Sequence, residues 1–193
     1  MSCCYGHDSA GEGKSFSDAL MYKPQPSNNK IIMLGDSGAG KTSLLERYIT
    51  GEFSLTPSAT IGVAFVEVKL EHEGVEIDCN FWDTAGQERY SSLLPMYISG
   101  ARVCILAFDL SSSDYLSSIG KWLNVLSGSF RTSEQVYIVL AATKCDLVTP
   151  ERAKEITKLV EGVFKYNCYI TSSLKGIAVE APFRDFLTYI SNN

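Results

Sequence analysis

The sequence predicts a doubly wound α/β fold: a mostly parallel six-stranded sheet, helices on both faces, and one antiparallel hairpin strand. Three observations predict it. Ile31–Leu34, Val103–Leu110 and Val136–Ala142 are nearly continuous apolar runs, as expected of strands buried on both faces of a parallel sheet. Helix-like segments near 41–50, 113–127, 150–163 and 179–191 alternate with them. Val63–Leu70 and Val75–Trp82, joined by Glu71-His72-Glu73-Gly74, instead alternate apolar and polar residues, so they read as a hairpin with one solvated face.

Taken in order, residues 1–29 read as a flexible tail, crowded with Gly, Ser, Asp, Asn and Pro and ending in the linker-like Pro24-Gln25-Pro26-Ser27-Asn28-Asn29. Residues 30–193 form the folded domain. Its first strand runs into a glycine-rich loop that opens a helix, the hairpin follows, and two buried strands come after it. The last helix places Val179, Phe183, Phe186, Leu187 and Ile190 on one side, with Pro182 tolerated in its first turn. No internal repeat is visible.

A length of 193 residues favours one domain with a sizeable core, and 45% hydrophobic with 20% charged residues is ordinary for a globular protein. The net charge of −5 argues against a nucleic-acid binder, which needs a basic face. The cysteines at 3, 4, 79, 104, 145 and 168 show no CxxC spacing, and only two histidines could help them hold metal. Reduced thiols and a cytoplasmic protein follow. No apolar run approaches the roughly 20 residues of a membrane span, and the N-terminus lacks the pattern of a signal peptide.

Gly35-Asp36-Ser37-Gly38-Ala39-Gly40-Lys41-Thr42, followed by Ser43, matches the phosphate-binding P-loop in full and sits between a strand and a helix, as that motif must. The glycines let main-chain N–H groups turn toward phosphates, and the helix N-terminus adds partial positive charge. Lys41 would reach the β- and γ-phosphates, and the Thr42 hydroxyl would hold Mg²⁺. The fold is then a P-loop NTPase. Gly11-Glu12-Gly13-Lys14-Ser15 is a decoy, since Asp8 stands where the first glycine should and no strand precedes it.

Trp82-Asp83-Thr84-Ala85-Gly86-Gln87-Glu88-Arg89-Tyr90 resembles the second-switch motif of small GTPases of the Ras superfamily, with the Glu-Arg-Tyr ending of the Rab branch. Ala59-Thr60-Ile61-Gly62-Val63-Ala64-Phe65 resembles the Rab first switch. The resemblance runs from about Lys30 to Tyr189 and implies a GTP-binding, GTP-hydrolysing switch, with Mg²⁺ as cofactor, in vesicle traffic. It implies that Phe53 packs on the base, that Thr60 and, through water, Asp83 join Thr42 at Mg²⁺, and that the N–H groups of Thr60 and Gly86 hook the γ-phosphate. Gln87 would orient the attacking water, with Lys41 stabilising the transferred phosphoryl group. No cis arginine is evident, so hydrolysis should be slow without an activating protein. An exchange factor, an activating protein and effectors would bind at the switches.

Base recognition is implied at Thr143-Lys144-Cys145-Asp146, where the family usually has Asn-Lys-x-Asp. The Asp146 carboxylate would accept two hydrogen bonds that guanine offers and adenine cannot. Ser172-Ser173-Leu174 stands at the family's Ser-Ala-Lys loop. Both departures resemble Rho proteins, yet only 26 positions separate Asp146 from Ser172, too few for the Rho branch's extra helix.

Period-two counting puts Phe65 and Trp82 on the polar side of the hairpin, and with Tyr97 they match the Rab aromatic triad. A partly exposed effector patch is expected, the alternative being a small satellite core under the second-switch helix. The chain ends at Ser191-Asn192-Asn193 without the C-terminal cysteines that Rab proteins prenylate. Either the flexible tail is cut short or the protein is anchored otherwise, for instance through Cys3 and Cys4. A monomer, cytoplasmic or peripheral on the cytosolic face of an intracellular membrane, is expected. The rival reading is a GTPase-like scaffold with negligible turnover.

Overall fold

The computed structural model describes residues 29–56, 59–86, 93–129 and 135–193. Gln87, Cys3 and Cys4, and residues 1–28 of the expected tail lie outside them. The order is β1 (Asn29–Leu34), α1 (Lys41–Thr50), β2 (Val63–His72), β3 (Val75–Thr84), α2 (Leu94–Ile98), β4 (Val103–Asp109), α3 (Tyr115–Ser129), β5 (Tyr137–Thr143), α4 (Pro150–Phe164), β6 (Cys168–Ile170) and α5 (Ala181–Ser191). The sheet order is β2-β3-β1-β4-β5-β6, parallel throughout except for the β2–β3 pair.

The continuous apolar strands are explained by a core on each face. Ile32 and Leu34 of β1 point into one core with Leu106, Phe108, Ile119, Trp122 and Ile156, under α2, α3 and α4. Ile31 and Met33 point into the other with Phe81, Leu44, Phe183 and Phe186, under α1 and α5. The predicted apolar side of the last helix is the side buried there, and Pro182 lies in its first turn, where no intrahelical N–H bond is lost. α4 starts on Thr149, whose hydroxyl accepts from Arg152 N at 3.3 Å, with Pro150 next.

The hairpin turn is tighter than expected. Strand pairing continues to His72 and Val75, leaving Glu73-Gly74, whose φ values of 51° and 80° suit a two-residue primed turn that carries the strand twist. The expectation of a solvated hairpin face holds only near this turn, where Glu67, Lys69, Glu76 and Asp78 are exposed. At the other end Trp82 packs against the core beneath α2 and is half-buried. The alternation fixes which residues share a face, whereas α2 decides whether that face meets water.

Four cysteines are free among the described residues. Burial pushes the Cys79 and Cys168 thiols up to about 12, so they are poor nucleophiles. No helix among the described residues is long and apolar enough to cross a membrane.

Candidate nucleotide-binding site

Open parallel sheets bind ligands beyond the carboxyl ends of their strands. Here the loops following β1, β3, β5 and β6, with the segment between α1 and β2, surround a pocket of about 520 Å³. Its wall contains Ser37, Gly38, Gly40, Lys41, Thr42 and Ser43 from the first loop, then Phe53, Thr60 and Gly86, then Thr143, Lys144 and Asp146, and finally Ser173 and Leu174. Nearly every residue assigned from sequence thus meets in one place. Gly35, Asp36, Ala39 and Ser172 stand behind the wall. Leu147, next to Asp146 and 60% exposed, lines the mouth and was not foreseen.

At one end the N-terminus of α1 points into the pocket. Its N-cap is Gly40, with φ 84°, no side chain caps it, and no acidic residue occupies its first turn. Such an end presents main-chain N–H donors and partial positive charge, which suits phosphate. The Lys41 ammonium donates to the Gly35 and Asp36 carbonyls at 2.8 and 2.9 Å, which aims it along the loop. Burial pulls this ammonium down to about 8, against the opposing pull of Asp83 and Asp36, so an anion beside it would restore its charge. Gly86 presses on the same loop. A Cβ there would lie 2.3 Å from the Asp36 carbonyl carbon and the Ser37 nitrogen, and the Ser37 N–H donates to Gly86 O at 2.9 Å. No other residue type fits without moving the backbone.

Three oxygen-bearing side chains converge beside Lys41. The Thr42 hydroxyl donates to Asp83 Oδ2 at 2.5 Å, the Thr60 hydroxyl approaches the same oxygen at 3.3 Å, and the two hydroxyls are 2.9 Å apart. Asp83 is 2% exposed, and its Oδ1 has no hydrogen-bond partner among the described residues. Burial raises its pKa, with the Thr42 bond, the Lys41 charge and the Thr60 bond opposing. An ionised carboxylate held this dry calls for a cation. Two hydroxyls and one carboxylate are the hard, sparse oxygen set that Mg²⁺ takes when phosphates and water complete its shell.

At the other end, Thr143 closes β5 and is 2% exposed. Its hydroxyl is 2.8 Å from Ala39 O and 2.9 Å from Phe108 O, so it joins the phosphate loop to β4. Lys144 has left-handed backbone, φ 58°, and its ammonium donates to Asp109 Oδ2 at 2.7 Å. Asp109 itself is held by the Ser111 N–H at 2.8 Å. Nothing in the local sequence marked Asp109, which stands 35 residues from Lys144. Asp146 accepts from the Ser172 hydroxyl, whose oxygen also receives the Lys175 N–H at 3.1 Å. The Ser-Ser-Leu loop therefore braces the carboxylate against rotation.

The Ras family model matches residues 30–192. The chain belongs to the Ras family. Two Ras-related proteins show the branch: RABA5e of Arabidopsis thaliana is 36% identical over 169 residues, 85% of this chain and 75% of the relative. Rab-11A of Dictyostelium discoideum is 36% identical over 166 residues, 83% and 75% of the two chains. As a Ras-family member with Rab relatives, this chain is a GTP-binding, GTP-hydrolysing small GTPase. The rival reading of a scaffold without turnover is not favoured. The three aromatic residues expected at the patch lie together: Phe65 meets Trp82 edge-on with centroids 5.3 Å apart, and Trp82 lies 6.1 Å from Tyr97. Phe65 and Trp82 are half-buried, but Tyr97 is only 6% exposed, so the expectation of three partly exposed rings holds for Phe65 and Trp82 and not for Tyr97, which is buried against the core.

Proposed function

We propose that the pocket holds GTP with its phosphates on the Gly35–Thr42 loop and its base on Asp146, and that γ-phosphate loss releases both switches. Lys41 and the α1 N-terminus neutralise the phosphates, and a bound Mg²⁺ would supply further positive charge against them. Thr42, Thr60 and, through water, Asp83 are the residues to hold it. The observation supporting this is the buried, half-unpartnered Asp83 carboxylate beside two hydroxyls and the phosphate loop. Phe53, Lys144, Ser173 and Leu174 wall the base, and Ser172 braces Asp146. The Thr143 and Leu174 departures are Rho-like details on a Rab-like chain. Gln87 orients the attacking water, as the family resemblance implies.

The protein is a switch of intracellular vesicle traffic, in keeping with its Rab relatives. Its place is the cytoplasm or the cytosolic face of an intracellular membrane, as a monomer, with residues 1–28 as a tail and the GTPase domain opening at Asn29 in β1. Exchange factor, activating protein and effectors read the two switches and the patch around Phe65. Base recognition gives the sharpest test. Asp146→Asn replaces an acceptor by an amide that can donate, so GDP affinity should fall by at least ~100-fold. Xanthosine diphosphate, which carries a carbonyl where guanine carries its amine, should gain affinity. Equal GDP affinity in variant and parent would remove Asp146 from the base.

A further inference from the structure

Asp36 faces two ways. Its main-chain carbonyl accepts the Lys41 ammonium at 2.9 Å and the Ala39 N–H at 3.1 Å, so it shapes the phosphate loop and aims its cation. Its side chain turns away from the pocket toward α3. There the Trp122 indole Nε1 donates to Oδ1 at 2.9 Å, and the Lys121 ammonium lies 3.5 Å from the same oxygen. The Ser118 hydroxyl adds a further bond; although burial raises the Asp36 pKa, these bonds and the Lys121 charge hold it below the usual carboxylate value.

The partners differ in firmness. Trp122 is 3% exposed and wedged in the core with Ile119 and Leu126, so its N–H has one place to point. The Lys121 and Asp36 side chains are 55% and 43% exposed, and a solvated pair at 3.5 Å contributes little. A buried indole needs an acceptor for its N–H, and among the described residues Asp36, 86 positions away on the phosphate loop, supplies it. Packing alone would be served by any large ring.

We propose that Trp122 is a positioning residue for nucleotide binding: its indole N–H fixes the Asp36 carboxylate, and through it the carbonyl that aims Lys41 at the β-phosphate. Trp122 does not line the pocket and takes no part in base recognition. The inference rests on the phosphate site proposed above. α3 thereby sets the affinity for the diphosphate, independently of the Asp146 end.

GDP and GMP separate the two ends, because GMP has no β-phosphate for Lys41 to meet. Each competes against a fluorescent GDP analogue on the full chain, comparing parent, Trp122→Phe, Asp36→Ala and the double variant. Trp122→Phe keeps an aromatic ring and removes the donor, while Asp36→Ala removes the acceptor from the half-exposed side. GDP affinity should fall roughly five- to tenfold in each single variant, as loss of a hydrogen bond to a charged acceptor would produce. GMP affinity should stay within about twofold, and the double variant should be no worse than the poorer single one, since both remove the same link. Asp36→Asn, which keeps an oxygen for the indole, should recover most of the GDP-to-GMP preference, and Lys121→Ala should barely change it. A parallel fall for GDP and GMP, or an unchanged ratio in both single variants, would show Trp122 to be packing alone and overturn the proposal. A parent that prefers GDP no more than GMP would instead remove the phosphate site and the tether with it.

Discussion

Thr143 stands where the family usually has Asn, and its one hydroxyl hydrogen faces two acceptors, Ala39 O at 2.8 Å and Phe108 O at 2.9 Å. It can satisfy one at a time. Thr143→Val keeps the shape at a 2% exposed site and removes the donor altogether. The lost bond costs about 1 kcal/mol net, and a carbonyl left without its donor adds about as much again, so about 2 kcal/mol is expected. For a domain of this size that is a fall in Tm of roughly 4–8 °C. Ala39 belongs to the phosphate loop, so part of the loss should appear at the nucleotide. If about 1 kcal/mol falls on dissociation, GDP release quickens about fivefold. Thr143→Asn brings two N–H donors, enough for both carbonyls at once. Gly40 leaves it room, since a Cβ on Gly40 would already touch the threonine at 3.5 Å. Release should then slow by a similar factor. Thermal unfolding of the nucleotide-loaded protein and stopped-flow release of a fluorescent GDP analogue measure both effects. A valine variant with parental Tm and release rate, or an asparagine variant that releases faster, would show that the Thr143 hydroxyl does not hold the phosphate loop.

Three further outcomes are expected. Gln87→Leu should leave nucleotide affinity nearly unchanged while lowering the hydrolysis rate, with and without an activating protein, because it removes an interaction made in the transition state; equal rates would sink the assignment. Phe65→Ala should weaken a GTP-dependent partner with little loss of Tm, whereas Trp82→Ala should also destabilise, because Trp82 packs on the core and carries the Lys30 ammonium 4.4 Å above its ring. Partner binding that survives Phe65→Ala would show that the patch is structural. Burial pulls the Lys30 ammonium down to about 8 from its ordinary 10.5, so between these pH values the unfolded chain binds more protons there and stability rises with pH. The parent should therefore gain stability over Lys30→Met as pH rises from about 7 to 10, and a constant difference in unfolding free energy would contradict this.

Much of the fold and site was legible in the sequence for identifiable reasons. The phosphate loop could be read because strand, glycines and helix are contiguous, so local chemistry and local structure coincide. The last helix could be read because Phe183, Phe186, Leu187 and Ile190 keep one face against a core, although it starts at Ala181 and Val179 joins that core from the turn before it. β6 was not located, since Cys168–Ile170 is too short to show a period. The five-residue α2 is equally short, and its cover over Trp82 could not be counted from the hairpin's own alternation. The first strand starts two residues early: Asn29 joins β1 because its amide donates to Asp78 O at 2.9 Å while its oxygen accepts from Arg102 at 2.5 Å. Asp109 under Lys144 and Trp122 behind Asp36 were invisible for a different reason. Each links residues 35 and 86 positions apart, and only the sheet order brings them together.

If the pocket between the phosphate loop and Asp146 is a guanine-nucleotide site, the protein should carry its nucleotide through purification. Purified protein, denatured and extracted, can be examined by mass spectrometry for the nucleotide that accompanied it through purification. Guanosine diphosphate is expected in near-stoichiometric amount, lost when magnesium is chelated and retained when it is present. An adenine nucleotide at comparable occupancy would contradict the assignment of Asp146 to the base, and with it the reading of the site as a GTP switch.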